Sequence, residues 1–158
     1  MNEQPLHTGY LAWHFAQAMG ARLEKDLRAL ELNLAQYNAL QHAERRPGIS
    51  SADAARQAGI TAQSMGSAVG SLTDRGLITR SDHPTNRRVL CLHITPDGSR
   101  LLEQAREVVR RVNEEALAVL EPDERTAVHH LLHRLVAHLN PDALAPGDGP
   151  GQTHRPRR

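Results

Sequence analysis

Apolar residues recur along most of this chain at steps of three and four, the spacing of helices with one buried face. Leu11, Phe15, Met19, Leu23 and Leu27 form the first such stripe, over about Gly9 to Leu30, with Thr8 placed to cap its start. Asn33 offers an N-cap for a second helix through Tyr37, Leu40 and Ala43, which Arg45-Arg46-Pro47-Gly48 ends. Two short helices follow in quick succession. Ser50 or Ser51 caps the first, which carries Ala54, Ala55 and Ala58 on one face and stops at Gly59, with Ile60 as a buried turn residue. Thr61 caps the second, which runs to about Arg75 and is closed by Gly76; Met65, Ala68, Val69 and Leu72 face inward.

After Gly76 the pattern changes. Leu77–Arg80 and Arg88–Ile94 are β-prone and flank a polar turn, Asp82–Asn86, which predicts a two-stranded hairpin. Thr95 then caps a long helix with Leu101, Ala105, Val108, Val112 and Ala116 on one side. Glu121-Pro122 breaks it and starts a last helix with Val128, Leu132, Leu135 and Leu139. Residues 140–158, rich in Pro, Gly and polar residues, read as a disordered tail.

Two short helices joined by a Gly-containing turn, then a hairpin, describe a winged helix-turn-helix: a mainly α fold with a small β-hairpin wing. The second helix has a small polar outer face, Gln63, Ser64, Ser67 and Ser71, able to lie in a major groove about 12 Å wide. Its N-terminus, at Thr61, presents backbone N–H groups and a positive dipole end to a phosphate. Arg87 and Arg88 stand beside the hairpin turn, where arginine suits the negative potential of a minor groove.

Composition adds three constraints. The chain of 158 residues is only 39% hydrophobic and has four aromatic residues, Tyr10, Trp13, Phe15 and Tyr37, so it reads as one that shares its core with a partner. Net charge is only +1, but from Arg45 to Thr95 seven arginines stand against three aspartates, a local balance of +4. Cys91 is the single cysteine, which excludes an intrachain disulfide framework. With no basic-then-apolar leader and no apolar run approaching about 18 residues, a soluble, cytoplasmic protein without membrane contact is expected. Neither a Gly-rich phosphate loop, a CxxC pair nor a nucleophile elbow is present, so catalysis, cofactor and metal are not expected.

Several strings in order resemble one known family. Asn33-Leu34-Ala35-Gln36-Tyr37-Asn38-Ala39-Leu40, Pro47-Gly48-Ile49-Ser50, Thr61-Ala62-Gln63-Ser64-Met65 and Leu72-Thr73-Asp74-Arg75-Gly76-Leu77-Ile78 are joined by Asn86-Arg87-Arg88 and Ile94-Thr95-Pro96-Asp97-Gly98. Together, over residues of about 9 to 139, they are similar to the multiple-antibiotic-resistance regulators, the MarR family. The resemblance implies a homodimer joined through residues 1–32 and 96–139, with residues 33–95 as the DNA-binding lobe. It implies a repressor on a pseudo-palindromic site, with DNA affinity modulated by a small, often phenolic or aromatic, ligand. The DNA-binding residues it implies are Thr61, Gln63, Ser64, Ser67, Ser71, Asn86, Arg87 and Arg88. Asn86 replaces the family's usual aspartate, and Ser67 and Ser71 stand where arginine or lysine is frequent. Helices bordering the family's ligand cavity carry Trp13, Tyr37, Gln41 and His42, the candidate pocket residues.

Two rival readings use other features. The sparse charge of the recognition helix suits a winged helix that binds a protein partner and has no operator. His129 and His133, at i and i+4 on the last helix, have the spacing of two metal ligands, but no carboxylate or cysteine completes the set.

Overall fold

The computed structural model describes residues 7–86 and 89–144. Among these, six α-helices surround a small antiparallel sheet: α1 (Thr8–Leu27), α2 (Leu34–Arg45), β1 (Ile49–Ser50), α3 (Ser51–Ala58), α4 (Ala62–Asp74), β2 (Ile78–Asp82), β3 (Leu90–Ile94), α5 (Pro96–Ala116) and α6 (Pro122–Leu139). The mainly α winged helix-turn-helix with flanking N- and C-terminal helices is thus observed.

Local chemistry sets most boundaries. Asn33 caps α2 through a complete capping box: its side chain accepts from the Gln36 N–H, and the Gln36 side chain accepts from the Asn33 N–H. Ser50, not Ser51, caps α3, Thr61 caps α4, and Thr95 caps α5 with Pro96 in its first turn. Gly59 and Gly76 take left-handed backbone, which is why the helices stop there.

Three expectations are revised. Helix α1 begins at Thr8 with His7 as N-cap and no side-chain cap, so Thr8 is inside the helix rather than before it. It ends at Leu27; Arg28–Leu30 tighten into a 3-10 turn, closed by Glu31 in the left-handed region. The sheet has three strands, because Ile49–Ser50 pairs with β3 opposite β2, in the order β1-β3-β2. A two-residue strand has no readable alternation, so periodicity misses it. At the start of the expected tail, Pro141–Leu144 form a 3-10 turn that packs against α3. The remainder of that tail lies outside the described residues.

The core lies where α2, α4, the sheet and the start of α5 meet. Leu40, Met65, Leu72, Ile78, Leu92 and Leu102 are fully buried. The expected inward set on α4, Met65, Ala68, Val69 and Leu72, is buried throughout. Helices α1 and α6 differ. Leu27 is the buried residue of α1, and α6, with 18 residues, has none. Tyr10, Leu11, Trp13 and Phe15 on α1, and Leu131, Leu132, Leu135, Val136 and Leu139 on α6, are exposed.

The joint between α4, β2 and α5 is closely packed at Gly98. Thr95 donates from Oγ1 to the Gly76 carbonyl at 2.8 Å and accepts from the Gly98 N–H at 3.0 Å. A β-carbon on Gly98 would overlap the Leu77 carbonyl oxygen and stand 2.8 Å from Ile94 Cγ1. Gly98→Ala is therefore expected to lower unfolding free energy by about 2–3 kcal/mol, the cost of overpacking against backbone. At fixed protomer concentration this appears as a lower urea midpoint; an unchanged midpoint would show that the joint yields.

Candidate nucleic-acid interface

Helix α4 shows how the candidate interface is built. Its apolar face is committed to the core, which turns Gln63, Ser64 and Ser67 outward, and all three are exposed. Thr61 Oγ1 accepts from the Ser64 N–H at 3.0 Å and donates to Ser64 Oγ at 2.9 Å. The two hydroxyls therefore hold each other at the helix start, where the unpaired N–H groups and dipole favour an anion. Ser71 stands apart from this set. It is half-buried, and its Oγ accepts from Gln36 Nε2 of α2 at 2.9 Å. Grooves flank α4 on both sides. One, of about 610 Å³, is polar and lined by Gln63, Ser64, Ser67 and Ser71 facing Gln36 and Glu24.

The second groove, of about 400 Å³, lies between α4, the start of α3 and the sheet, and includes Gly66, Val69, Leu90 and Leu92 with the Ser50 hydroxyl and Arg80. Arg80 pairs in register with Leu92, and its Nη2 lies 3.9 Å from where a β-carbon on Gly70 would stand. An apolar trough with one guanidinium suits a small aromatic anion; the Ser50 hydroxyl at its edge is engaged, donating to Asp53 Oδ2 at 2.8 Å. Sequence reading missed Arg80 as a candidate, because only the β2–β3 register brings it beside α4.

The wing hairpin is closed by the Val89 N–H donating to the Asn86 carbonyl at 2.9 Å and the His83 N–H to the Val89 carbonyl at 3.2 Å. Asn86 is exposed at the turn. Arg87 and Arg88, the expected groove contacts, lie outside the described residues.

The four candidate pocket residues do not line a common one of the grooves found here. Trp13 is 56% exposed and stacks edge-on against His14 at 4.8 Å. Tyr37 is 7% exposed, in the core, where burial raises its phenol pKa and the charge of Arg106 opposes that shift. Gln41 and His42 are half-buried on α2. A third groove, of about 220 Å³, opens between α1 and α5 at Phe15, Met19 and Val112, without Trp13 in its lining. Cys91 is buried in β3. His129 and His133 have ring centroids 6.5 Å apart, and among the described residues no group of three or more His, Cys, Asp or Glu could hold a metal ion. No helix of the described residues is long and apolar enough to cross a membrane.

A helix-turn-helix whose second helix turns a polar face outward, beside a sheet that ends in a hairpin, defines a winged helix-turn-helix DNA-binding protein. Residues 30–89 match the MarR family. The HTH-type transcriptional repressor Rv2887 of Mycobacterium tuberculosis is 29% identical over 127 residues, 80% of this chain and 91% of that protein. Its crystal structure with salicylic acid has a TM-score of 0.72 at 27% identity, covering 85% of this chain and 99% of that one. Apo MarR from E. coli shares the fold, with a TM-score of 0.75 at 19% identity over 84% of this chain and 99% of that one. Through residues 30–89, and in fold over most of its length, the chain is similar to the MarR family of winged helix-turn-helix transcriptional regulators.

His42 carries a pH dependence. Burial first, then the charge of Arg45, holds its pKa below the usual value, and a hydrogen bond with Gln57 partly opposes them. The folded pKa is the lower one, so protonation favours the unfolded chain. Stability contributed by the neutral ring is complete above the unfolded value of about 6.5 and is lost as pH falls from there through the folded value. The melting temperature should drop on acidification through this window, and His42→Gln should flatten the drop. A profile that the substitution leaves unchanged would assign the loss to other groups.

Proposed function

We propose that this chain is a transcriptional repressor that binds a pseudo-palindromic duplex site as a homodimer and releases it on binding a small aromatic acid. The observation that carries the reading is α4: an exposed strip of Gln63, Ser64 and Ser67, headed by the Thr61 cap, on a helix whose other face is locked in the core. Residues 33–95 supply this lobe. Residues 1–32 and 96–139 form the dimer, which accounts for a helix as long as α6 with no buried residue and for the exposed Trp13 and Phe15. Two copies then meet half-sites about 34 Å apart.

Relatives support the repressor and effector parts. One is named a repressor and was crystallised with salicylic acid and with p-aminosalicylic acid. Another, 35% identical over 63% of this chain and 60% of its own length, is a putative transcriptional regulatory protein for the hcr operon of Thauera aromatica. Direct base readout falls to Gln63, Ser64 and Ser67, and phosphate or minor-groove contact to Thr61, Asn86, Arg87 and Arg88. The Arg80 groove beside α4 receives the effector carboxylate. A ligand there lies against the helix that must enter the groove of DNA, so occupancy disfavours the bound geometry.

Titrating the protein against a duplex it selects from a randomised pool, at several salt concentrations, tests the DNA reading. Log affinity should fall linearly with log salt, at about −0.9 per phosphate contact, and Arg88→Ala should remove about one contact from that slope. A flat salt response with no selected sequence would instead support a winged helix that binds a protein partner.

Salicylate tests the effector reading by calorimetry on the DNA-free protein. Arg80→Ala should weaken its binding about 10- to 100-fold, the range for a lost charge-assisted hydrogen bond. Unchanged binding would move the effector to the surroundings of Trp13, Tyr37, Gln41 and His42.

A further inference from the structure

Ser71 was expected to face DNA, yet its hydroxyl meets α2. Its donor, Gln36, is the buried polar residue of the described chain, at 8% exposure. Both ends of the Gln36 amide are engaged: Oε1 accepts from the Asn33 N–H at 2.9 Å, and Nε2 donates to Ser71 Oγ at 2.9 Å. The same first turn of α2 is tied to α1, because Glu24 Oε1 accepts from the Leu34 N–H at 3.0 Å. A parallel tie runs one turn further along. Arg75 Nη1, at the C-cap of α4, donates to the Glu31 carbonyl at 2.8 Å, and Glu31 is the non-glycine residue in the left-handed region that aims that carbonyl.

These four bonds converge on residues 31–36, the segment joining α1 to α2. We propose that Gln36 is a positioning residue for the recognition helix. The strut from Glu24 through the first turn of α2 to Ser71, with Arg75–Glu31 beside it, sets the rotation of α4 about its axis relative to α1. Ser71 acts through Gln36 and not on a base. The physical ground is the cost of a largely buried amide: Gln36 is 8% exposed at the wall of the polar groove, and loss of the Ser71 hydroxyl takes the protein partner from its Nε2 donor, so α4 is favoured where that bond forms. A helix turned by one residue would present Gln63 and Ser67 on a different bearing, since successive side chains lie 100° apart on a helix of 3.6 residues per turn. The inference rests on the DNA-binding reading above and adds to it what orients the reading face.

The test is a double-mutant cycle on operator affinity, using the duplex the parent selects from a randomised pool and a temperature at which circular dichroism shows every variant folded. Ser71→Ala and Gln36→Leu should each weaken binding about 5- to 30-fold, the range for a lost buried hydrogen bond. The double variant should be no worse than Gln36→Leu within about twofold, because that substitution already removes the bond to Ser71 along with the α2 capping bond. Ser71→Thr, which keeps the hydroxyl, should restore affinity to within about threefold of the parent. Any change in the selected sequence should be the same for Ser71→Ala and Gln36→Leu, since both release the same strut. Multiplying effects, a Thr variant as weak as Ala, or a base preference changed by Ser71→Ala and not by Gln36→Leu would overturn the proposal and return Ser71 to the DNA surface. A parent that selects no sequence would instead fail the regulator reading itself, which the variants' pattern does not touch.

Discussion

Everything that α4 can do depends on how closely α5 approaches the end of the helix-turn-helix. Gly98 sits under the Leu77 carbonyl with no room for a side chain, while Thr95 bonds the Gly76 carbonyl and caps α5 with the same oxygen. The reading helix, the first residues of the wing and the start of a 21-residue helix therefore meet with no linker between them. From there α5 runs to α1, where Arg22 bridges Glu115 at 2.7 Å and Asp26 at 3.2 Å, and Arg111 reaches Asp26 at 3.3 Å. These ion pairs, whose arginines are exposed, add little energy by themselves. They register two helices that apolar packing has already brought together.

Helix α4 is consequently held from both sides. At its C-terminal end the Thr95–Gly98 joint ties it to α5; along its flank Gln36 and Glu31 tie it to the segment leaving α1. Interiors that are close-packed transmit displacement instead of absorbing it. A change in the disposition of α1 and α5 therefore has a short mechanical route to the reading face. The grooves on either side of α4 give the same helix a polar wall toward α2 and an apolar, cationic wall toward the sheet.

The chemistry of that face is modest. Serine and glutamine side chains discriminate bases less strongly than a bidentate arginine–guanine pair, worth about 1–3 kcal/mol. Gly66 and Gly70 within α4 lower its intrinsic stability by about 1 kcal/mol each relative to alanine, so tertiary contacts must hold the helix straight. In the proposed function, precise orientation and the presentation of two copies at once compensate for a weak reading face. The exposed apolar residues of α1 and α6 are consistent with the second requirement, and the strut at Gln36 with the first.

Local chemistry determined by the sequence alone accounts for much of the fold. Asn33, Ser50, Thr61 and Thr95 are caps because their side chains reach N–H groups three residues on, and Gly59 and Gly76 end helices because they accept positive φ. The three- and four-residue apolar steps fixed which face of α4 is buried, and hence that Gln63, Ser64 and Ser67 face out. What needed tertiary structure was every feature made by residues distant along the chain. The pairing of Ile49 with Leu92 created β1. The β2–β3 register carried Arg80 to the side of α4, and the packing of α2 drew the Ser71 hydroxyl inward to Gln36, 35 positions earlier. Tyr37 went to the core while Trp13 stayed at the surface, although both lie on amphipathic helices. Short-range hydrogen bonds and helical periodicity are properties of neighbouring residues and can be read in order; register, burial and cross-helix bonding depend on which elements meet, and only the folded chain decides that.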